Sequence, residues 1–139
     1  MKVELIAACG INCGICSMYL SYLNGLRQAK GRIRHCEGCN IVGGKCTRCK
    51  TGNINKIEFC YQCEYFPCDM LKRLEKRYKN SYARQESPID NLKYIKKHGM
   101  KKFLAKERKE WKCNKCGDVI CVHNGKCYYC EKVIHWKKG

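Results

Sequence analysis

Apolar positions along the chain fall into helical runs, interrupted by a long central stretch with almost no period. Ile15, Met18, Tyr19, Tyr22, Leu23 and Leu26 recur at helical spacing and predict one apolar stripe, with Gly31 as its stop. Pro67-Cys68-Asp69 reads as the start of a second helix. Leu71, Leu74, Tyr78 and Tyr82 form its inner side, and Lys72, Arg73, Lys76, Arg77, Lys79 and Arg84 lie on the opposite arc. Ser87-Pro88-Ile89-Asp90 combines an N-cap serine, a proline at the first helical position and an acid three residues after the cap. That helix is expected to end at Gly99, with Ile89, Leu92 and Ile95 inward. Residues 100–111 place Met100, Phe103, Leu104 and Trp111 on one face and Lys101, Lys102, Lys106, Arg108 and Lys109 on the other. Glu107 falls among the apolar positions there, which predicts a basic partner. Residues 3–8, VELIAA, read as a short strand or a lead-in to the first cysteine turn.

The aperiodic stretch is rich in cysteine, and Gly38, Gly43, Gly44 and Gly52 punctuate it with turns. Six C-x-x-C pairs occur along the chain: Cys13/Cys16, Cys36/Cys39, Cys46/Cys49, Cys60/Cys63, Cys113/Cys116 and Cys127/Cys130. One such turn aims two sulfurs at the same ion, and two turns complete tetrahedral zinc. The last two pairs have the C-x2-C-x10-C-x2-C spacing of a small zinc ribbon. Short connecting loops group Cys36, Cys39, Cys46 and Cys49. The C-x-x-C logic then leaves Cys13, Cys16, Cys60 and Cys63 as a third site, for about three zinc ions per chain. Cys9 and Cys68 are spare in this count, as buried small hydrophobes or as substitute ligands. Cys68, at a helix start, is also a candidate reactive thiol. Cys121 and His123 inside the C-terminal segment are further substitutes, whereas His35, His98 and His135 read as surface or capping residues. Closed four-sulfur sites leave no position for water, so the reading leans away from catalysis. An iron–sulfur cluster in the N-terminal half is the alternative, since four thiolates suit either metal. Cys9-x3-Cys13-x2-Cys16 has the spacing of radical S-adenosylmethionine enzymes, but this chain is too short for the partial barrel they need.

Composition supports metal as a structural element. Cysteine contributes 15 of the 139 residues and inflates the 45% hydrophobic share, so the ordinary apolar core is thin. A structural zinc site supplies on the order of 10–16 kcal/mol of apparent binding energy, against a net stability of ~5–15 kcal/mol for a whole domain. The odd cysteine count, the lack of a secretory leader and the absence of a ~20-residue apolar run predict reduced thiolates in a cytoplasmic, non-membrane protein. Formal net charge is +17, and three Zn(Cys)4 sites at −2 each would bring it to about +11. A field of that sign favours nucleic acid or an acidic protein as partner. Lys72, Arg73, Lys76, Arg77, Lys101, Lys102, Lys106 and Lys109 are the candidate contacts. No paired-carboxylate, nucleophile–base or phosphate-loop pattern is present.

CGINCGICSMYL, CEGC, IEFCYQCEYFPCDMLKRLEKRY and CGDVICVHNGKCYYC together resemble a family of small cysteine-rich prokaryotic proteins. That family is known only as a domain of unknown function, and many of its members are held to bind zinc. The resemblance implies Cys9, Cys13, Cys16, Cys36, Cys39, Cys60, Cys63 and Cys68 as motif cysteines and supplies no activity. The sequence thus predicts a small metal-stabilised α+β protein. Its expected parts are a cysteine-rich lobe (1–68), amphipathic basic helices (69–112) and a C-terminal zinc ribbon (113–139). Its expected role is a non-catalytic interaction module, with a redox-active or metal-handling protein as the alternative.

Overall fold

Local caps and apolar spacing place most of the helices where the sequence predicts them. The computed structural model describes residues 1–26, 35–39, 49 and 53–131. The α-helices followed below are α1 Ser17–Leu23, α2 Asp69–Asn80, α3 Pro88–His98 and α4 Met100–Glu110. α3 starts as its sequence dictates: Ser87 Oγ accepts the Asp90 N–H at 3.1 Å, and Pro88 occupies the first turn, where no N–H is needed. Glu75 of α2 reinforces this start by accepting from the Ser87 hydroxyl and, at 2.9 Å, from the Ile89 N–H. Gly99, at φ +88°, makes the break between α3 and α4.

One buried cluster draws on the whole length of the chain. Leu71, Leu74 and Tyr78 of α2, Leu92 of α3 and Trp111 join Leu5, Ala7, Cys9, Cys13, Ile15 and Val122. A second group packs Ile6 against Ile95, Phe103 and Leu104. Leu71, Leu92 and Phe103 expose no surface, and burying each contributes roughly 1.5–3 kcal/mol. The N-terminal turn is locked onto α3 at Gly10. Asn91 Nδ2 donates to the Gly10 carbonyl at 2.9 Å. A β-carbon on Gly10, whose φ is +87°, would lie 2.3 Å from the Pro88 carbonyl oxygen.

The α+β expectation is overturned: among the described residues there is no strand, and the fold is all-α. Pairing is confined to isolated antiparallel bridges, Ile6 with Asn12, Lys112 with Val119 and Ile120 with Cys127. Residues 3–8 begin as a 3-10 turn at Val3–Leu5. The C-terminal segment is not a zinc ribbon. Between its two cysteine turns the pairing is limited to single contacts such as the Cys121 N–H to the Lys126 carbonyl at 2.9 Å, and the segment also docks on the turn before α1, where the Val122 N–H donates to the Ile15 carbonyl at 2.9 Å.

That docking also explains why α1 differs from its predicted stripe. The helix buries Ser17, Leu20 and Ser21 and exposes Met18, Tyr22 and Leu23. Leu20 packs on Cys121 and Tyr128, so the C-terminal loop selects the buried face. The helix stops at Leu23, where Asn24 Nδ2 donates to the Leu20 carbonyl at 2.8 Å. The predicted stop Gly31 and the turn glycines Gly43, Gly44 and Gly52 lie outside the described residues.

Among the described residues, Glu107 has no ion pair with the basic partner its position predicted. It is wholly buried on α4, and Asn12 Nδ2 donates to its Oε2 at 3.4 Å. Its Oε1 has no hydrogen-bond partner among the described residues. Burial pushes its carboxyl up to about 7; Glu86 adds to the effect and Lys106 opposes it.

Candidate metal centre

The two C-terminal cysteine turns face each other. Cys113, Cys116, Cys127 and Cys130 bring their sulfurs within 4.8 Å of one another. Cys113 Sγ lies 3.6 Å from Cys130 Sγ, and Cys116 Sγ lies 3.5 Å from Cys127 Sγ. A disulfide would require ~2.05 Å. A zinc tetrahedron with ~2.3 Å bonds has an edge of roughly 3.8 Å, so the donor set fits a four-coordinate ion.

The backbone enforces this geometry. The Cys113 N–H donates to the Asp118 carbonyl at 2.6 Å, and the Gly117 N–H returns to the Cys113 carbonyl at 2.9 Å. Gly117, at φ +81°, lets the turn close. In the second turn, Glu131 accepts the Cys127 N–H at 2.6 Å. The sulfurs also receive backbone donors: the Asp118 N–H points at Cys116 Sγ at 3.5 Å. N–H groups of Cys116 and Lys115 pull the Cys113 thiol down to about 6, toward the thiolate that a metal binds. Cys130, hydrogen-bonded to Cys113, is pushed up to about 12.

The proposed substitutes for this quartet have other roles. Cys121 is wholly buried against Leu20 and Tyr128, and burial raises its thiol pKa. His123 Nδ1 accepts the Ser17 N–H at 3.1 Å, so a side chain more than a hundred residues away caps α1. Burial holds the His123 pKa down at about 4, which keeps the ring neutral for that role. The sequence reading missed this cap. Its one local sign is that α1 opens at Cys16-Ser17 without a capping side chain or an acid in its first turn.

The remaining cysteines gather in two places. Cys13 is buried, Cys16 and Cys36 are half-buried and Cys39 is exposed. The Cys39 N–H points at Cys13 Sγ at 3.4 Å. Cys49, Cys60, Cys63 and Cys68 line a cavity of about 200 Å³ together with apolar Ile54, Ile57, Phe66 and Leu71. Cys68 stands at the N-cap of α2. Cys9 is buried in the main core. Cys46 and His135 lie outside the described residues. Among the described residues, the C-terminal quartet is the one group whose donor atoms all meet within 4.8 Å. His35 donates to the Leu26 carbonyl, and the ring of exposed His98 lies tilted, 4.5 Å from that of Tyr94.

Lys72, Arg73, Lys76 and Arg77 are exposed on α2, as are Lys101, Lys102, Lys106 and Lys109 on α4. Lys106 is engaged locally, 3.2 Å from Glu110 and 5.4 Å from the centre of the Tyr94 ring. Arg73 also borders the cysteine-lined cavity. No helix among the described residues is long and apolar enough to cross a membrane.

The model of a protein family described as "Protein of unknown function (DUF3795)" matches residues 5–73. No curated protein and no solved structure matches the chain.

Proposed function

We propose from the site geometry that this chain, whose residues 5–73 match that family of unknown function, is a zinc-stapled, non-catalytic interaction protein. The observation that carries the proposal is the C-terminal quartet, whose sulfurs stand at metal-binding and not disulfide separation. Cys113, Cys116, Cys127 and Cys130 would hold the ion as thiolates. The ion would fix residues 112–131 so that Val122 stays bonded to Ile15 and His123 to Ser17 at the start of α1. The exposed basic residues of α2 and α4 support a polyanionic partner, nucleic acid before acidic protein.

Native mass spectrometry of the purified protein should show bound zinc, and Cys127→Ser should lose one ion. Retention of every ion by that variant would refute the assignment. Binding to generic DNA or RNA should be measurable at low salt and fall steeply as salt rises, since phosphate contacts release counterions. No binding at low ionic strength would remove nucleic acid as the partner.

A second reading rests on the cavity lined by Cys49, Cys60, Cys63 and Cys68. Four thiols line this one cavity, and four thiolates suit an iron–sulfur cluster as well as zinc. Protein purified without oxygen would then show visible charge-transfer absorption, and a colourless preparation would refute it.

A further inference from the structure

We propose that the corner where α3 runs into α4 is the contact surface for the phosphate backbone of double-stranded nucleic acid, bound without sequence preference. This deepens the interaction reading above and rests on it: the partner becomes a duplex, and the face becomes α3–α4 in place of α2.

Positive charge is concentrated here. From Asn91 to Lys106 the chain carries six lysines and neither an aspartate, a glutamate nor an arginine. Lys93, Lys96, Lys97 and His98 of α3 and Lys101 and Lys102 of α4 are all exposed. No spacer separates the two helices. The Gly99 N–H donates to the Ile95 carbonyl at 2.8 Å and the Phe103 N–H to the Gly99 carbonyl at 3.2 Å, so one residue ends α3 and starts α4. Even at full extension, the chain from Lys96 to Lys102 spans only about 20 Å. A duplex presents roughly a dozen phosphates over that length. The two helices share the surface: Lys106 Nζ of α4 lies 5.4 Å from the centre of the Tyr94 ring of α3, beside the ring of His98.

Local energetics do not explain these lysines. Lys101 and Lys102 occupy the first turn of α4, where the helix dipole is positive, with no acid in that turn and no side chain capping it. Like charges gathered at the corner add to the cost. A polyanion seated there removes both penalties. On these two helices the exposed acids stand at the far ends, Asp90 in the first turn of α3 and Glu110 at the close of α4, where it pairs with Lys106 at 3.2 Å. α2 is different. Asp69 and Glu75 interrupt its basic residues, Glu75 pairs with Lys79 at 3.2 Å, and Arg73 borders the cysteine-lined cavity.

The kind of side chain selects the partner. Lysine is a point charge that meets phosphate from any direction, whereas a bidentate grip favours the planar arginine fork. Single strands are held on exposed aromatic rings against which bases stack. The exposed large apolar side chains among the described residues, Val3, Met18, Tyr22, Leu23, Tyr65 and Tyr129, all lie off α3 and α4. A basic helix on a membrane must sink its apolar side chains into the lipid, but Leu92, Ile95, Phe103 and Leu104 are already buried in the protein. Protein interfaces are enriched in aromatic residues and arginine and depleted of lysine.

The test uses the intact zinc-loaded chain and fluorescence anisotropy of labelled duplexes of about 20 base pairs, in two unrelated sequences, from about 50 mM salt upward. Two variants of equal charge change are compared. One carries Lys96→Gln, Lys97→Gln, Lys101→Gln and Lys102→Gln; the other carries Lys72→Gln, Arg73→Gln, Lys76→Gln and Arg77→Gln. All eight side chains are exposed, and urea unfolding checks that both variants fold. The α3–α4 variant should bind both duplexes at least about tenfold more weakly and lower the slope of log K against log salt by about 3 to 4. The α2 variant should change each by less than half as much. Wild-type protein should prefer the duplex to either separated strand. Equal losses in the two variants or a larger loss in the α2 variant would overturn the proposal. So would a preference for single strands, a preference for one duplex sequence, or tighter binding to phosphatidylserine vesicles that the α3–α4 variant loses. Failure of the polyanion reading itself would show separately, as wild-type protein that binds neither duplex nor strand at low salt.

Discussion

Replacing Glu107 by glutamine should stabilise the protein above neutral pH and change it little in mild acid. The carboxyl is wholly buried on α4, one of its oxygens lacks a partner among the described residues, and burial moves it from 4.5 to about 7. A folded-state value above the unfolded one means that the folded protein holds the proton longer. The stability tied to that proton is complete below about pH 4.5, declines as pH rises, and is lost above about pH 7. At about 1.4 kcal/mol per pH unit, that span amounts to roughly 3 kcal/mol. Glutamine has nearly the same shape, carries no charge at any pH, and its carbonyl still accepts from Asn12. Thiolate–metal bonds have the opposite pH dependence, because protonation releases the ion in acid. The informative quantity is therefore the variant-minus-wild-type difference in urea unfolding of zinc-loaded protein. It should be below about 1 kcal/mol near pH 5 and reach roughly 3 kcal/mol in the variant's favour near pH 8. An equal difference at both pH values would refute the assignment of a buried, weakly partnered carboxyl.

Gly10→Ala should cost more than ~2 kcal/mol in urea unfolding, because a β-carbon would meet the Pro88 carbonyl oxygen at 2.3 Å in a left-handed conformation. Asn91→Ala should cost about 1–3 kcal/mol, since it strands the buried Gly10 carbonyl. The two losses should be less than additive in the double variant, as both loosen the same contact. Full additivity would show that the two residues act separately.

The parts of the fold that were legible in the sequence are those whose causes are local. Ser87 and Pro88 announce α3 within four residues, and the Leu71–Leu74–Tyr78 stripe of α2 is buried as its spacing predicts. The α1 face was illegible because residues 121–128 choose it, far along the chain. The same loop defeated the ribbon expectation. The x10 spacing correctly suggested two facing turns, but the intervening residues make only isolated bridges with one another and no strand, and Val122 spends its N–H on Ile15, just before α1. For the N-terminal cysteines, chain proximity favoured joining Cys36 and Cys39 to the turn that follows them. The contacts seen among the described residues, from the Cys36 N–H to Met18 and from the Cys39 N–H to Cys13, run backward, and no spacing rule encodes that direction.

The Val122–Ile15 and His123–Ser17 bonds carry a practical consequence for any attempt to dissect the molecule. The stretch that the family matches ends at residue 73, yet its first helix borrows an acceptor, and its interior borrows Leu92, Trp111 and Val122, from sequence beyond that point. A fragment cut at the homology limit would be left with a raw helix end and an open hydrophobic face. In this protein the stretch that the family matches is shorter than the unit that folds.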